Sequence, residues 1–433
     1  MKSIYESWGK YPVSENQAVI NYNWISESPD LATIIGNVLP FGLGRSYGDS
    51  CLNSNGTLID CSGLNKFISV DWDKGLLRAE AGVSLDEILK LIVPKGFFLA
   101  VTPGTKFVTL GGAIANDVHG KNHHKMGTFG CHVNCFELLR STNERFICSH
   151  SENQELFRAT IGGLGLTGII TWAEINLFRI DSSMIDAEFV KFDCLNDFFE
   201  INDYANLTND FTVSWIDCTS TGTRSGRGIY SSGNFAKSGP KYANTKHSID
   251  FPFKSSFINE LSVNLFNVLY YQKQFDKKLD SLIHYEPFFY PLDAVGKWNN
   301  AYGKNGFIQY QFVLPFDGGK EALKEILKRI NHSGLSSFLT VLKTFGNIKS
   351  PGILSFPRPG ITLAIDFRMT GKRTLDFLSS LDVIVRENGG VIYPAKDSRM
   401  SGADFIHFYP EINEFSKYID PKFSSSFWRR VNN

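Results

Sequence analysis

The chain has 433 residues, too many for one ordinary core and suited to two or three domains. Forty-four basic residues balance 44 acidic ones, so no net field would draw in nucleic acid, and a general nucleic-acid binder is disfavoured. Seven cysteines at no framework spacing read as reduced thiols. With no apolar h-region at the N-terminus and no apolar run of ~18 residues, no signal peptide or transmembrane segment is expected, and the expected location is cytoplasmic.

In chain order, residues 56–84 alternate β-rich pieces with Gly, Asn and Asp punctuation. "SLDEILKLIVPKG" (84–96) carries a Ser N-cap, apolar residues at helical spacing and a Pro-Lys-Gly stop, which predicts a short helix. Two Gly-rich turns follow, within 102–124 and 156–177, the second leading into a strand. The texture changes near residue 181, where strand, helix and strand are expected across 189–218. Phe235–Ser256 is polar and broken by prolines, and reads as a mobile loop or lid. Strands are expected at "GFIQYQFVLP" (306–315) and "GITLAIDFRM" (360–369), with helices near Gly318–Asn331 and Thr374–Glu387. The tail returns to the turn-rich character of the beginning.

Three glycine clusters within 130 residues, beginning with "GLGRSYGDS" (Gly42–Ser50), suggest close approach of backbone to one elongated ligand. Glycine permits that approach and lets successive N–H groups converge on an anion. The first cluster lacks the strand–helix setting of a dinucleotide fingerprint, and no Gly-Lys-Ser/Thr ending marks a P-loop. The densest titratable cluster is "HGKNHH" (His119–His124), followed by "CHVNC". A metal reading would use His119, His123, His124, Cys131, His132 and Cys135. Their spacing fits no standard finger and offers no second ligand pair, so no metal site is expected. His123 and His124 read as polar turn residues touching solvent.

"FGLGRSYGDS", "TPGTKFVTLGGAIANDVHGKNHHKMGTFG", "IGGLGLTGII" and "YPAKDSR" together resemble the flavin-dependent oxidases of the vanillyl-alcohol oxidase superfamily. Within it, they look like the decaprenylphosphoryl-ribose 2-oxidases, and the resemblance runs from "YPVSEN" to the tail. It implies an α+β fold of two domains. An FAD-binding domain (1–180) is completed by a returning C-terminal segment (391–433), and a central substrate domain (181–390) is built on an antiparallel sheet with helices.

The resemblance assigns the FAD pyrophosphate to two loops. One is Gly42, Gly44, Arg45, Ser46, Tyr47, Gly48 and Asp49; the other is Pro103, Gly104, Thr105, Thr109, Gly111 and Gly112, with Asn116 beyond it. A third loop with Gly163, Gly168 and Ile169 would line flavin and adenosine, and Tyr393 would touch the flavin. Lys396 and His119 are the implied acid/base and electrostatic residues. Gln309 and Gln311 share one strand face by the period of two, and the resemblance aims them at substrate together with Lys343 and Trp215.

Relatives that bond FAD covalently through the first loop carry a histidine where this chain has Arg45, so FAD is expected to be non-covalent. Where other members carry a pocket cysteine, this chain has Ala364. The implied reaction oxidises the 2-hydroxyl of a polyprenyl-phosphoryl pentose to a keto-sugar, with a quinone or O2 as electron acceptor. A short-chain reductase partner would complete epimerisation from ribose to arabinose for cell-envelope glycan. Such a substrate would bring the enzyme to a membrane surface as a peripheral protein. Two alternatives stand beside this: an FAD oxidase of a small soluble sugar, alditol or aldonolactone, and a metal- or flavin-binding protein without turnover.

Overall fold

Short strands bounded by turn residues open the chain, as their punctuation predicts. The computed structural model describes residues 5–242, 248–251, 256 and 258–432. Strands β1 (Ala18–Asn21), β2 (Val38–Phe41) and β3 (Thr57–Asp60) form a parallel sheet in the order β1-β3-β2. Next come β4 (Phe67–Asp71), β5 (Leu76–Glu80), β6 (Phe97–Leu99), β7 (Val133–Leu139), β8 (Arg145–Ser149) and β9 (Ile169–Arg179). They make an antiparallel sheet in the order β4-β5-β9-β7-β8, with β6 also paired to β9.

The first helix, α1 (Leu85–Ile92), forms where its sequence signals put it. The Ser84 hydroxyl accepts from Glu87 N at 3.2 Å and Glu87 Oε2 accepts from Ser84 N at 2.9 Å, a reciprocal capping box. Gly96, at φ +81°, ends the segment in the left-handed region that Pro-Lys-Gly implied. Helix α2 (Leu110–Ala115) is capped by Thr109, whose hydroxyl accepts from Gly112 N at 3.1 Å.

The second half supplies β10 (Met184–Phe192), β11 (Phe211–Ile216), β12 (Gly228–Phe235), β13 (Ile249–Asp250), β14 (Lys278–His284), β15 (Val295–Gly296), β16 (Phe307–Leu314), β17 (Thr340–Phe345), β18 (Gly360–Arg368) and β19 (Val391–Ile392). All but β13 and β15 join one antiparallel sheet in the order β14-β10-β12-β11-β17-β18-β16-β19. Helices α3 (Leu195–Thr208), α4 (Glu260–Gln272), α5 (Phe316–Ser333) and α6 (Lys372–Glu387) complete this half. Apolar residues of α5 and α6, among them Leu323, Ile326, Leu378 and Leu381, pack with the strands into one core.

Strand β16 is buried at every position, because it lies between that helical layer and the cavity described below. Its alternation sorts the side chains. Tyr310 turns to α6, its hydroxyl donating to Asp382 Oδ1 at 2.9 Å, while Gln309 and Gln311 turn to the cavity.

The last residues return to the first strands. Val38 N donates to Lys422 O at 2.9 Å and Ser424 N to Val38 O at 3.0 Å. Arg430 pairs with Asp49 at 2.7 Å and with Asp397 at 3.0 Å.

Two expectations change. Of the stretch read as a mobile loop, 243–247 and 252–255 lie outside the described residues. Phe235 itself ends β12 among Phe98, Phe211 and Phe289, and Ile249–Asp250 pair with Val295–Gly296, so those parts are structured. His123 is buried rather than solvated: its ring lies 4.6 Å from that of Phe345, and its Nδ1 accepts from Gly346 N at 3.2 Å. His124 is half-buried, its Nε2 3.0 Å from Asn209 O.

Candidate active site

A cavity of about 710 Å³ runs between the N-terminal loops and the large sheet. That is the scale of small-molecule and cofactor sites, roughly 300–1,000 Å³. One wall is backbone. Gly42, Gly44, Arg45, Ser46 and Tyr47 line it from the loop after β2, and Pro103, Gly104, Thr105, Thr109, Gly111 and Gly112 from the loop leading into α2. Among the described residues, the backbone N–H groups of Gly44, Arg45, Ser46, Gly104 and Thr105 donate to no protein acceptor. Unpaired N–H groups along a cavity wall are open to an incoming acceptor, so a wall that leaves several bare fits an anionic ligand.

A Cβ on Gly104 would meet no protein atom within 4 Å and would stand in the space a ligand needs. The Arg45 guanidinium lies 4.1 Å over the Trp8 ring, and its buried Nε has no partner. These features fit the pyrophosphate of FAD.

Gly168 joins this wall from the third loop, together with Leu164 and Gly165. Asn116 lines it beyond α2, holding Gly112 O through Nδ2 at 2.8 Å.

Four predicted cofactor residues lie outside the lining, each for a structural reason. Asp49 is buried in its ion pair with Arg430. A Cβ on Gly48 would fall 1.6 Å from Asp397 O, so this glycine serves the packing of loop on loop. Gly163 packs against Ala159 O, and Ile169 is buried in a core with Val38, Ile59 and Leu139.

The opposite wall is side chain. His119, Gln309, Gln311, Lys343, Trp215, Tyr393 and Lys396 all line the cavity, so the structure brings together every residue the sequence reading aimed at chemistry or substrate. The Lys396 amine lies 3.7 Å over the Tyr47 ring. Burial pushes its pKa down to about 7, opposed by the charge of Asp366.

Gln311 Nε2 and His119 Nε2 are 3.0 Å apart, and Lys343 Nζ is 2.9 Å from His119 Nδ1. A neutral imidazole has one N–H and one acceptor nitrogen. With the Gln311 amide donating to Nε2, the ring hydrogen sits on Nδ1 and donates to an uncharged Lys343 amine, which donates in turn to Gly120 O at 2.7 Å. The electrostatics agree. Burial, Lys121 and Lys396 bring Lys343 down to about 7, and burial followed by Lys343 holds His119 well below the usual imidazole range.

Trp215 is fixed by its indole N–H donating to Phe338 O at 2.9 Å, with Tyr270 packed at 4.6 Å. Tyr393 stacks on Phe356 at 4.5 Å and donates to Asn116 O at 2.8 Å. Ala364 lines the cavity between Gln311 and Val341, its partners on the two neighbouring strands.

The structure adds two residues. Asp366 lies opposite Gln309 in the β16–β18 register; it accepts from Gln309 Nε2 at 2.6 Å and Tyr302 OH at 3.2 Å, and burial raises it to about 7. Lys121 lines the cavity, donates to Phe288 O, and is lowered to about 7 by burial. The period of two along "GITLAIDF" could have found Asp366, since Ala364 and Asp366 share a face. Nothing local distinguishes Lys121. Among the described residues the histidines and cysteines of 119–135 do not gather into a group that could hold a metal ion.

Comparison with known proteins agrees with this geometry. An FAD binding domain family matches residues 36–149. The decaprenylphosphoryl-β-D-ribose oxidase of Mycolicibacterium smegmatis is 37% identical over 417 residues, covering 91% of this chain and 89% of that protein. An uncharacterised protein in the mprA 5′ region of Streptomyces coelicolor is 27% identical over 375 residues, 81% of this chain and 100% of its own length. L-gulonolactone oxidase of Scyliorhinus torazame is 28% identical over 144 residues, 32% of each chain. With an FAD-binding domain matched at the backbone wall and likeness to one oxidase along nearly the whole length, the chain is an FAD-dependent oxidoreductase and belongs to the decaprenylphosphoryl-β-D-ribose oxidase family.

Proposed function

We propose that this enzyme oxidises the 2-hydroxyl of a polyprenyl-phosphoryl pentose to a keto-sugar. One observation carries the choice of substrate. Lys343 is buried and Lys121 half-buried at the cavity, and among the described residues neither has a carboxylate partner. A phosphodiester would supply an anion that holds both amines in the ammonium form, whereas a neutral lactone or alditol offers them no counter-charge.

When bound, FAD supplies the two-electron acceptor for hydrogen leaving the sugar carbon. This chain's residues hold the sugar and manage the proton. Lys396, lowered to about 7, takes the hydroxyl proton, and Asp366 beside it stabilises the ammonium that results. Gln311 and His119 fix each other and present a neutral polar edge to the sugar. Trp215 forms the wall over which the pentose lies. The backbone wall holds the cofactor without a covalent bond, since a guanidinium at Arg45 is no nucleophile; acid precipitation should release all the flavin into the supernatant.

On this reading residues 1–180 with 391–433 form the FAD domain and 181–390 the substrate domain. Electrons leave to a quinone or O2. The keto-sugar passes to a short-chain reductase, giving net epimerisation of ribose to arabinose.

The test is an anaerobic titration of the FAD-loaded protein, followed by flavin absorbance near ~450 nm. Farnesylphosphoryl-β-D-ribose should bleach it, and L-gulono-1,4-lactone should not. The reverse result would establish the small-sugar alternative.

A further inference from the structure

We propose that the outer face of α4 docks on a lipid bilayer and sets the cavity mouth against its hydrocarbon. From Leu261 to Gln272 the sequence LSVNLFNVLYYQ holds no charged residue. Its helical period divides it into an inward and an outward side. Val263, Asn267 and Tyr271 face the protein, where Asn267 Nδ2 donates to Asp217 Oδ1 at 3.0 Å and Tyr271 OH to Asp193 Oδ1 at 2.8 Å. On the other side Leu261, Leu265 and Leu269 recur every four residues at 80%, 59% and 58% exposure, with Val268 between them. Phe275, just beyond the helix, is 94% exposed. This row of exposed apolar side chains lacks a cover.

The identity of the cover follows from what else α4 does. Tyr270 lines the cavity, so this helix is both a wall of the site and a part of the outer surface. The inference rests on the polyprenyl-phosphoryl reading. With the sugar phosphate among the lysines, the hydrocarbon tail must leave past a surface that does not expose it to water. A second copy of the chain would cover the leucines but leave the tail in water; a bilayer covers both. Charged residues stand only at the helix ends, Glu260 as its first residue and Lys273 just after it, as suits a segment lying in the interface.

The test is flotation of the full FAD-loaded protein with phosphatidylcholine–phosphatidylglycerol vesicles. The wild type should float, and Leu265→Glu/Leu269→Glu should reduce the bound fraction at least tenfold. Neither leucine lines the cavity, so FAD content and flavin reduction by water-soluble geranylphosphoryl-β-D-ribose should be unchanged. Wild type that stays with the aqueous phase, or a double variant that floats equally, overturns the proposal. So does a dimer of the wild type in ultracentrifugation that the double variant abolishes without any vesicle binding. Reduction by the soluble analogue reports separately on the substrate: flotation lost in the variant, with no reduction in either protein, upholds the surface and refutes the substrate reading.

Discussion

One side of the cavity is made of loops that offer peptide N–H groups and bare glycines; the other is made of strands that offer lysines, an imidazole and amides. On the proposed reading the first holds a cofactor whose chemistry is its own, so its residues would matter through backbone shape. The second handles the proton on the proposed mechanism, so its residues would matter through titratable atoms on a rigid sheet. Substitutions on the two walls should therefore fail differently.

The largest effect belongs to the side-chain wall. Lys396→Met should keep its FAD yet reduce the flavin roughly a thousandfold more slowly, the scale of a lost general base. Stopped-flow bleaching measures it, and near-normal reduction would remove Lys396 from the chemistry. On the backbone wall, two glycines separate folding from binding. Gly48→Ala forces a Cβ to 1.6 Å from Asp397 O, so it should destabilise the FAD-free protein by about 3 kcal/mol or more. Gly104→Ala meets no protein atom within 4 Å; it should leave that stability unchanged and weaken FAD binding roughly tenfold, about 1.4 kcal/mol. Equal melting points for the two FAD-free variants would erase the distinction.

The smallest effect tests the uncompensated charge. Lys121 is lowered to about 7 by burial, against an unfolded value of about 10.4. Between these values the unfolded chain binds more protons, so the lysine makes stability rise with pH across that window and costs most below it. Lys121→Met should thus be more stable than wild type at pH 6, by about 1–3 kcal/mol. The gap should shrink towards pH 10. Denaturant melts without phosphate check this, and a gap that does not change with pH would refute it.

Much of the contrast was legible in the sequence. The glycine clusters marked the backbone wall, and the alternation in "QYQF" put both amides on one face. What escaped was long-range. Gly48 and Asp49 belong to a motif that binds cofactor, but here they bind the returning tail through Asp397 and Arg430, and no local pattern announces a partner nearly 400 residues away. Likewise His123 reads as a polar turn until β17 brings Phe345 against it. Asp366 sits in an apolar strand and gains its meaning only from the register opposite Gln309.

The central claim is that hydrogen leaves C2 of a polyprenyl-phosphoryl ribose. Its most direct test is anaerobic stopped-flow reduction of the holoenzyme by farnesylphosphoryl-β-D-ribose carrying deuterium at C2. The account predicts rapid bleaching with protiated substrate, slowed severalfold by the C2 label. Bleaching that ignores the label at C2 but responds to one at another carbon would contradict it, as would no bleaching at all.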